Sequence, residues 1–308
     1  MGGSGQSCGS AHLALAVAAR PVPSLSPRKR PERESVPVAL FDIMRRLRFR
    51  LSRIAAPLGV GAALLALWEI IVRVEGVPPY ILPDPLLIAQ TLWADGPSLL
   101  ASLLVTLRIT LAALAAAAIL GGGIALLFSL SPILALSLFP YAVILQVTPI
   151  VAIAPLIIIW VREPFLALLV CAWIVAFFPI VANTTVGLNS ADRNLLALFR
   201  LYGASTGKTL RYLKLPTALP YFLAGLRISG GLALIGAVVA EFVAGTGGNE
   251  TGLAFRILEA GYRLAIPRLF AALFLLSLTG ILIYLALDFL SRLLLRHWHE
   301  SAITDEEE

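Results

Sequence analysis

From residue 55 onward the chain alternates between apolar runs of about 20 residues or more and short polar, Pro-rich or Gly-rich breaks. As helices, runs of that length cross the roughly 30 Å of hydrocarbon in a bilayer. Six stand out, over 55–74, 99–127, 133–160, 165–186, 219–242 and 268–290. Pro78-Pro79 and Pro83-Asp84-Pro85 follow the first run, Ser131-Pro132 the second, Glu163-Pro164 the third, and glycines between 245 and 248 the fifth. The pattern predicts an all-α, polytopic membrane protein with six transmembrane helices. Pro140, Pro149 and Pro155 fall inside the third run. They predict a kinked helix, tolerated where neighbours or a water-filled cavity satisfy the freed carbonyls.

The segments outside the runs divide the rest of the chain. Residues 1–43 are rich in Gly, Ser, Pro and Arg without an apolar period, and read as a disordered tail or as the product of an upstream start site. The apolar stretch 13–19 has no basic residue ahead of it and is followed by Arg20-Pro21, which argues against a cleaved signal. Met44 opens a basic arm over 44–54 that suits the start of a membrane protein. A transmembrane domain over 55–302 follows, with a cytoplasmic loop at 187–218, and then an acidic tail at 303–308.

Composition agrees with this reading: 59% of the 308 residues are apolar and 14% charged, against about 45–50% and about 25% in ordinary soluble domains. The net charge of +6 could suggest nucleic-acid binding, but the first 53 residues carry ten basic against three acidic residues, so the remainder is slightly acidic. Nucleic acid is therefore excluded as a partner, and the charge becomes a topological signal. The arm ahead of the first run holds five arginines, and the 187–218 loop holds Arg193, Arg200, Lys208, Arg211 and Lys214; the 75–98 loop has no Lys or Arg. Both basic segments are expected on the cytoplasmic side, and six crossings then put both termini there. Segment 243–267, with two basic and two acidic residues, is compatible with the outer side.

Metal and redox chemistry find little support. Cys8 and Cys171 form no disulfide or zinc pattern. His297 and His299, two residues apart, point to different helix faces, so this pair reads as an interfacial anchor around Trp298 rather than a metal site.

The stretch GASTGKT, Gly203 to Thr209, resembles a phosphate-binding loop, but only three residues separate its glycines and the segment before it has helical character. Two short helices joined by a glycine turn account for it better. Asp192 caps the first helix; Leu195, Leu196, Leu198, Phe199 and Tyr202 form its apolar face; Gly203 supplies the left-handed residue that ends it. Ser205 caps a second helix that is expected to stop at Leu215-Pro216. Such a basic amphipathic element fits either anionic lipid or a cytoplasmic partner.

Ionisable residues within the runs are functional candidates because burying charge in a membrane is costly. Glu69 can pair with Arg73 four residues on, and Arg108 and Asp288 lie within snorkelling reach of an interface. Arg227 and Glu241 share the fifth run and suit either a transport pathway or structural pairing. Gln146, Thr148, Asn183, Thr184 and Thr185 suit either substrate contact or interhelical hydrogen bonds. Gly121 to Gly123, Gly225, Gly230, Gly231 and Gly236 are expected to permit close helix packing.

The stretch LFRLYGASTGKTLRYLKLPTALPYFLAGLRIS resembles the cytoplasmic signature of permease subunits of binding-protein-dependent ABC importers. That signature runs Glu-Ala-Ala, three residues, Gly, nine residues, Ile, any residue, Leu-Pro. Here Gly203 is followed by nine residues and then Leu213, Lys214, Leu215 and Pro216. GLR at 225–227, AEF at 240–242, LWE at 67–69 and ILPDP at 81–85 resemble the nitrate, sulfonate and taurine branch. The C-terminal stretch from AGYRLAIPRLF onward also resembles permeases grouped with thiamine-precursor or riboflavin uptake. One departure is clear: Ala197, Leu198 and Phe199 stand where the family has Glu-Ala-Ala, leaving Arg200 as the nearest charged candidate for the lost contact.

The resemblance implies a permease without chemistry of its own in a bacterial inner membrane. It would bind no cofactor directly, with ATP and magnesium held by a partner ATPase present in two copies. Two permease copies, a homodimer, would form the pathway, and an external binding protein would deliver a small sulfonate, nitrate, taurine-like or vitamin-precursor solute. The ATPase-docking residues would be Leu198, Phe199, Arg200, Tyr202, Gly203, Ala204, Ser205, Leu213, Leu215 and Pro216. Gln146, Thr148, Asn183, Arg227 and Glu241 would line the pathway. A stand-alone secondary transporter would show internal repeats of matching hydropathy, and a membrane enzyme would show a constellation of catalytic side chains. The runs offer neither.

Overall fold

The computed structural model describes residues 38–245 and 251–296. The chain falls into two compact units, Met1–Val60 and Gly61–Glu308. The described part of the first is the start of helix α1 (Val38–Val74), within which the first predicted run lies.

In the second unit, α2 (Pro85–Ala94) begins with Pro85 in its first turn behind Asp84, whose Oδ1 accepts the Leu87 N–H at 2.6 Å; the Pro-Asp-Pro sequence thus makes a helix start. Four further predicted runs appear as α3 (Gly96–Leu130), α6 (Pro164–Asn189), α9 (Leu215–Ala244) and α11 (Ile266–Leu295). The remaining helices are α4 (Pro132–Val147), α5 (Ile150–Trp160), α7 (Arg193–Leu201), α8 (Thr206–Thr209) and α10 (Leu253–Tyr262). Among the described residues, four helical stretches are long and apolar enough to cross a membrane, or five if α4 and α5 count as one.

The third run departs from expectation. It is not one kinked helix but two, α4 and α5, bent by 101° across Thr148 and Pro149. The residue before a proline is pushed out of the helical region, and Thr148 is extended at ψ 123°; Pro149 follows at ψ 112°, so two consecutive extended residues turn the chain. Pro140 and Pro155 lie inside their helices and do not break them.

The core is built on the antiparallel pair α6 and α9, with α3 packed on both and with α10 and α11 against α9. Small residues let the two central backbones approach. A Cβ on Gly236 would lie 2.8 Å from Ala172 Cα, one on Gly225 2.9 Å from the Pro179 carbonyl oxygen, and one on Gly187 2.9 Å from Ala218 Cα. Where lipid tails are as apolar as side chains, such close packing is what holds helices together. Gly121 and Gly230 likewise face Ile180 and Leu287, whereas Gly123 and Gly231 look onto open space and do not serve packing as expected. Ser229 Oγ donates across the pair to the Ala176 carbonyl at 2.6 Å.

Candidate functional site

The element between α6 and α9 is assembled by local hydrogen bonding. Asp192 Oδ1 accepts from the N–H groups of Asn194 at 2.6 Å and Leu195 at 3.1 Å, satisfying donors at the start of α7. At the other end Gly203 adopts φ +66°, with its N–H bonded to Arg200 O at 3.0 Å and the Ala204 N–H to Phe199 O at 2.9 Å. This paired closure is a Schellman motif, which requires a left-handed residue at the position Gly203 holds. Ser205 Oγ then accepts the Lys208 N–H at 3.4 Å at the start of α8.

The second helix does not stop at Leu215-Pro216. A π-turn, Leu210–Lys214, carries α8 directly into α9, with the Leu215 N–H reaching back to Leu210 O. The wider turn absorbs the proline: Pro216 has no N–H to donate, and it sits in the first turn of α9, where that donor is dispensable. Helices α8 and α9 are therefore one continuous rod over 206–244, long and apolar enough to cross a membrane.

The predicted docking residues separate by exposure. Leu198, Arg200, Tyr202, Gly203, Ser205 and Leu215 are exposed, Phe199, Ala204 and Pro216 half-buried, and Leu213 buried. Leu213 fastens the element to the bundle, aided by Leu210 against Ala125, Leu188 and Ala218. Helix α7 has no buried residue, and Leu201 and Tyr202 are more than 80% exposed, so it presents apolar and basic side chains outward. Among the described residues, none of the basic groups in 187–218 takes part in a salt bridge.

The predicted pathway residues do not form one cluster. Gln146 is exposed near the α4–α5 break, where Thr148 Oγ1 donates to Ile144 O at 2.7 Å. Asn183 Nδ2 donates to Pro179 O at 2.8 Å within α6. Arg227 leaves α9 toward α11 and pairs with Asp288 at 2.7 Å; Asp288 also holds Arg292 at 2.9 Å, so it is tied between two arginines rather than snorkelling alone. Glu69 pairs with Arg73 as expected, and Arg108 is exposed.

Glu241 is 3% exposed at the far end of α9, and its Oε2 accepts the Ala254 N–H at 2.9 Å. The carboxylate thus caps the start of α10 from another helix, where free N–H groups favour negative charge. Thr106 Oγ1 on α3 accepts the neighbouring Leu253 N–H at 2.8 Å. Gly252 completes the seat, since a Cβ there would collide with the Glu241 carboxylate. Further along α10, Arg256 Nε donates to Ser102 Oγ at 3.2 Å and Arg256 pairs with Glu259 at 2.9 Å. Glu259 also meets Arg263 at 2.8 Å, and Arg268 pairs with Asp95 at 3.5 Å. The Arg256 hydrogen bond, opposed by burial and aided by the charges of Arg263, Arg256 and Arg268, holds the Glu259 carboxyl below its usual range. Thr106, Ser102 and Gly252 escaped the sequence reading because nothing local distinguishes them; their partners lie far along the chain or in another helix.

Residues 113–299, covering α6, α7, α8, α9 and α11, match the family model described as the binding-protein-dependent transport system inner membrane component. The chain belongs to this permease family. The permease is 36% identical to a riboflavin transport system permease protein of Chloroflexus aurantiacus over 77% of this chain and 88% of that one. It is 29% identical to a taurine transport system permease protein of Escherichia coli over 83% and 94% of the two chains. Its fold is shared with a chain from a crystal structure of an amino acid ABC transporter with histidines, at a TM-score of 0.55 and 19% identity, covering 66% of the permease and 97% of that chain. The permease is thus a multi-pass inner-membrane subunit of an ABC importer, in the branch with the nitrate, sulfonate and taurine systems.

Proposed function

We infer that two copies of this permease form the pathway of an ATP-driven importer, and that each offers α7 and the turn after it to one of two ATPase subunits. The observation that carries the reading is the construction of that element: an exposed basic and apolar helix, closed at both ends by its own sequence and joined through the Gly203 turn to α8, which runs unbroken into a membrane-spanning rod. A partner that moves α7 moves α9. ATP and magnesium belong to the ATPase; this chain contributes the docking surface and the pathway. The missing glutamate of the signature is replaced by contacts from Leu198, Tyr202 and Arg200, all exposed.

Six crossings with both termini in the cytoplasm fit the basic arm and the basic 187–218 loop, and they place Glu241 and α10 on the outer side, where a binding protein delivers the solute. The riboflavin and taurine relatives favour a small organic solute over a macromolecule. Gln146, Thr148, Asn183, Arg227 and Glu241 supply the polar groups along the spans. Of these, Arg227 and Glu241 also serve as structural ties through Asp288 and α10.

Gly203→Val tests the docking assignment. A β-branched residue at φ +66° strains the turn by about 1–2 kcal/mol. The variant should insert and assemble normally in proteoliposomes, with solute-stimulated ATP hydrolysis at least about tenfold below wild type, because a misplaced lever forfeits orientation. Unchanged stimulation overturns the reading.

A further inference from the structure

Two cavities lie along the inner end of the bundle, between α3 and the start of α9. The inner one, of about 210 Å³, is lined by Arg200 and Lys214 and by the hydroxyl-bearing residues Ser129, Thr206 and Thr209. The other, of about 230 Å³, lies deeper and is apolar, formed by Gly122 and Leu126 of α3 with Leu219 and Phe222 of α9. Its polar mark is Thr184, 5% exposed, whose hydroxyl has no hydrogen-bond partner. Gly122, Leu126 and Ser129 recur at helical spacing, so the cavities follow one another along one face of α3 over about 10 Å.

Charge and shape together point to an occupant. Lys214 Nζ donates to Ser129 Oγ at 3.0 Å but meets no carboxylate, and Arg200 has no ion-pair partner among the described residues. The one acidic residue within 187–218, Asp192, is committed to capping α7. A soluble anion would neutralise the inner cavity and leave the apolar one unfilled. An anionic phospholipid fills both: its phosphate between Lys214 and Arg200, an ester oxygen accepting from Thr184, and an acyl chain over Gly122 against Phe222.

We propose that this groove binds an anionic phospholipid of the cytoplasmic leaflet, wedged between the docking element and α3. The leaflet rests on the proposed topology; an inverted chain would retain the same lipid from the other leaflet, so retention by the purified complex tests the site separately from the reading above. The lipid would brace the pivot at which α7 meets the rod, and the local lipid composition would then set how firmly that pivot is held.

The complete transporter, extracted into detergent with equal phosphatidylglycerol and phosphatidylcholine, is examined by native mass spectrometry. Wild type should retain phosphatidylglycerol preferentially, one molecule per permease chain. Lys214→Gln should lower that retention about fivefold, the equivalent of one cation near an anionic headgroup. Gly122→Leu, which fills the apolar cavity, should lower it comparably while leaving the cations in place. Retention at the wild-type level in either variant overturns the proposal. So does displacement of the lipid from wild type by millimolar inorganic phosphate, which would mark the inner cavity as a simple anion site.

Discussion

A Cβ on Gly252 would fall onto the Glu241 carboxylate, and that carboxylate is enclosed by α10 and α3 and bonded to Ala254. It can yield only by leaving its seat, which strands the first N–H groups of α10. Gly252→Ala is therefore expected to cost about 1–3 kcal/mol, the penalty of an unsatisfied buried polar group, read as a lower thermal midpoint of the purified permease. A midpoint equal to wild type would falsify the tie. Glu241 stood out in the sequence as an ionisable residue near a span end, but its role did not. Its partner lies 13 residues on, beyond a glycine-rich segment, and Thr106 and Leu253 are 147 residues apart. Caps made by neighbours are legible in a local pattern; caps made by another helix are not. Asp192, Ser205 and Gly203 belong to the first kind, and their places follow from backbone chemistry alone.

Among the elements, run length located α3, α6, α9 and α11 to within a few residues, because crossing hydrocarbon leaves little freedom in composition. Proline was the ambiguous sign. Pro149 ends a helix, Pro140 and Pro155 ride inside theirs, and Pro216 opens one that the chain enters through a π-turn. What differs is the backbone before each: an extended Thr148 in one case, a loosened turn in another. The π-turn inserts one extra residue into the rod, which sets the rotation of α8 relative to α9. Deleting Tyr212, whose side chain is exposed, should replace the wide turn with an ordinary helix that meets Pro216 directly, kinking the rod and displacing α7 and α8. The expected result is a complex that retains the permease in the membrane but loses ATPase subunits on affinity purification. Retention of those subunits at wild-type stoichiometry counts against the π-turn as the setting device.

At the scale of the molecule, the polar groups divide between two ends of an apolar bundle. Among the described residues, one end carries the basic groups of 187–218, which take part in no salt bridge; the other carries a network in which Arg256, Glu259, Arg263, Arg268 and Asp95 compensate one another. The second end depends on pH in a definite direction. Because the Glu259 carboxyl is held below its ordinary value of 4.5 in the fold, its contribution to stability is complete above that value and is lost as pH falls through the lowered one. Amide exchange in α10 should stay slow down to pH about 4.5 and quicken below it, and Glu259→Gln should remove that dependence. Exchange that quickens alike in wild type and variant would assign the effect elsewhere. The unbroken rod gives this end a mechanical relation to the other. From Leu215 to Glu241 the helix rises about 39 Å, so a tilt of about 5° at Leu215 displaces the carboxylate by about 3 Å. That is the full length of its 2.9 Å bond to Ala254. The lever has no slack: either α10 travels with Glu241 or it lets go, and a pull delivered at one end of the rod reaches the other as the making or breaking of a single hydrogen bond.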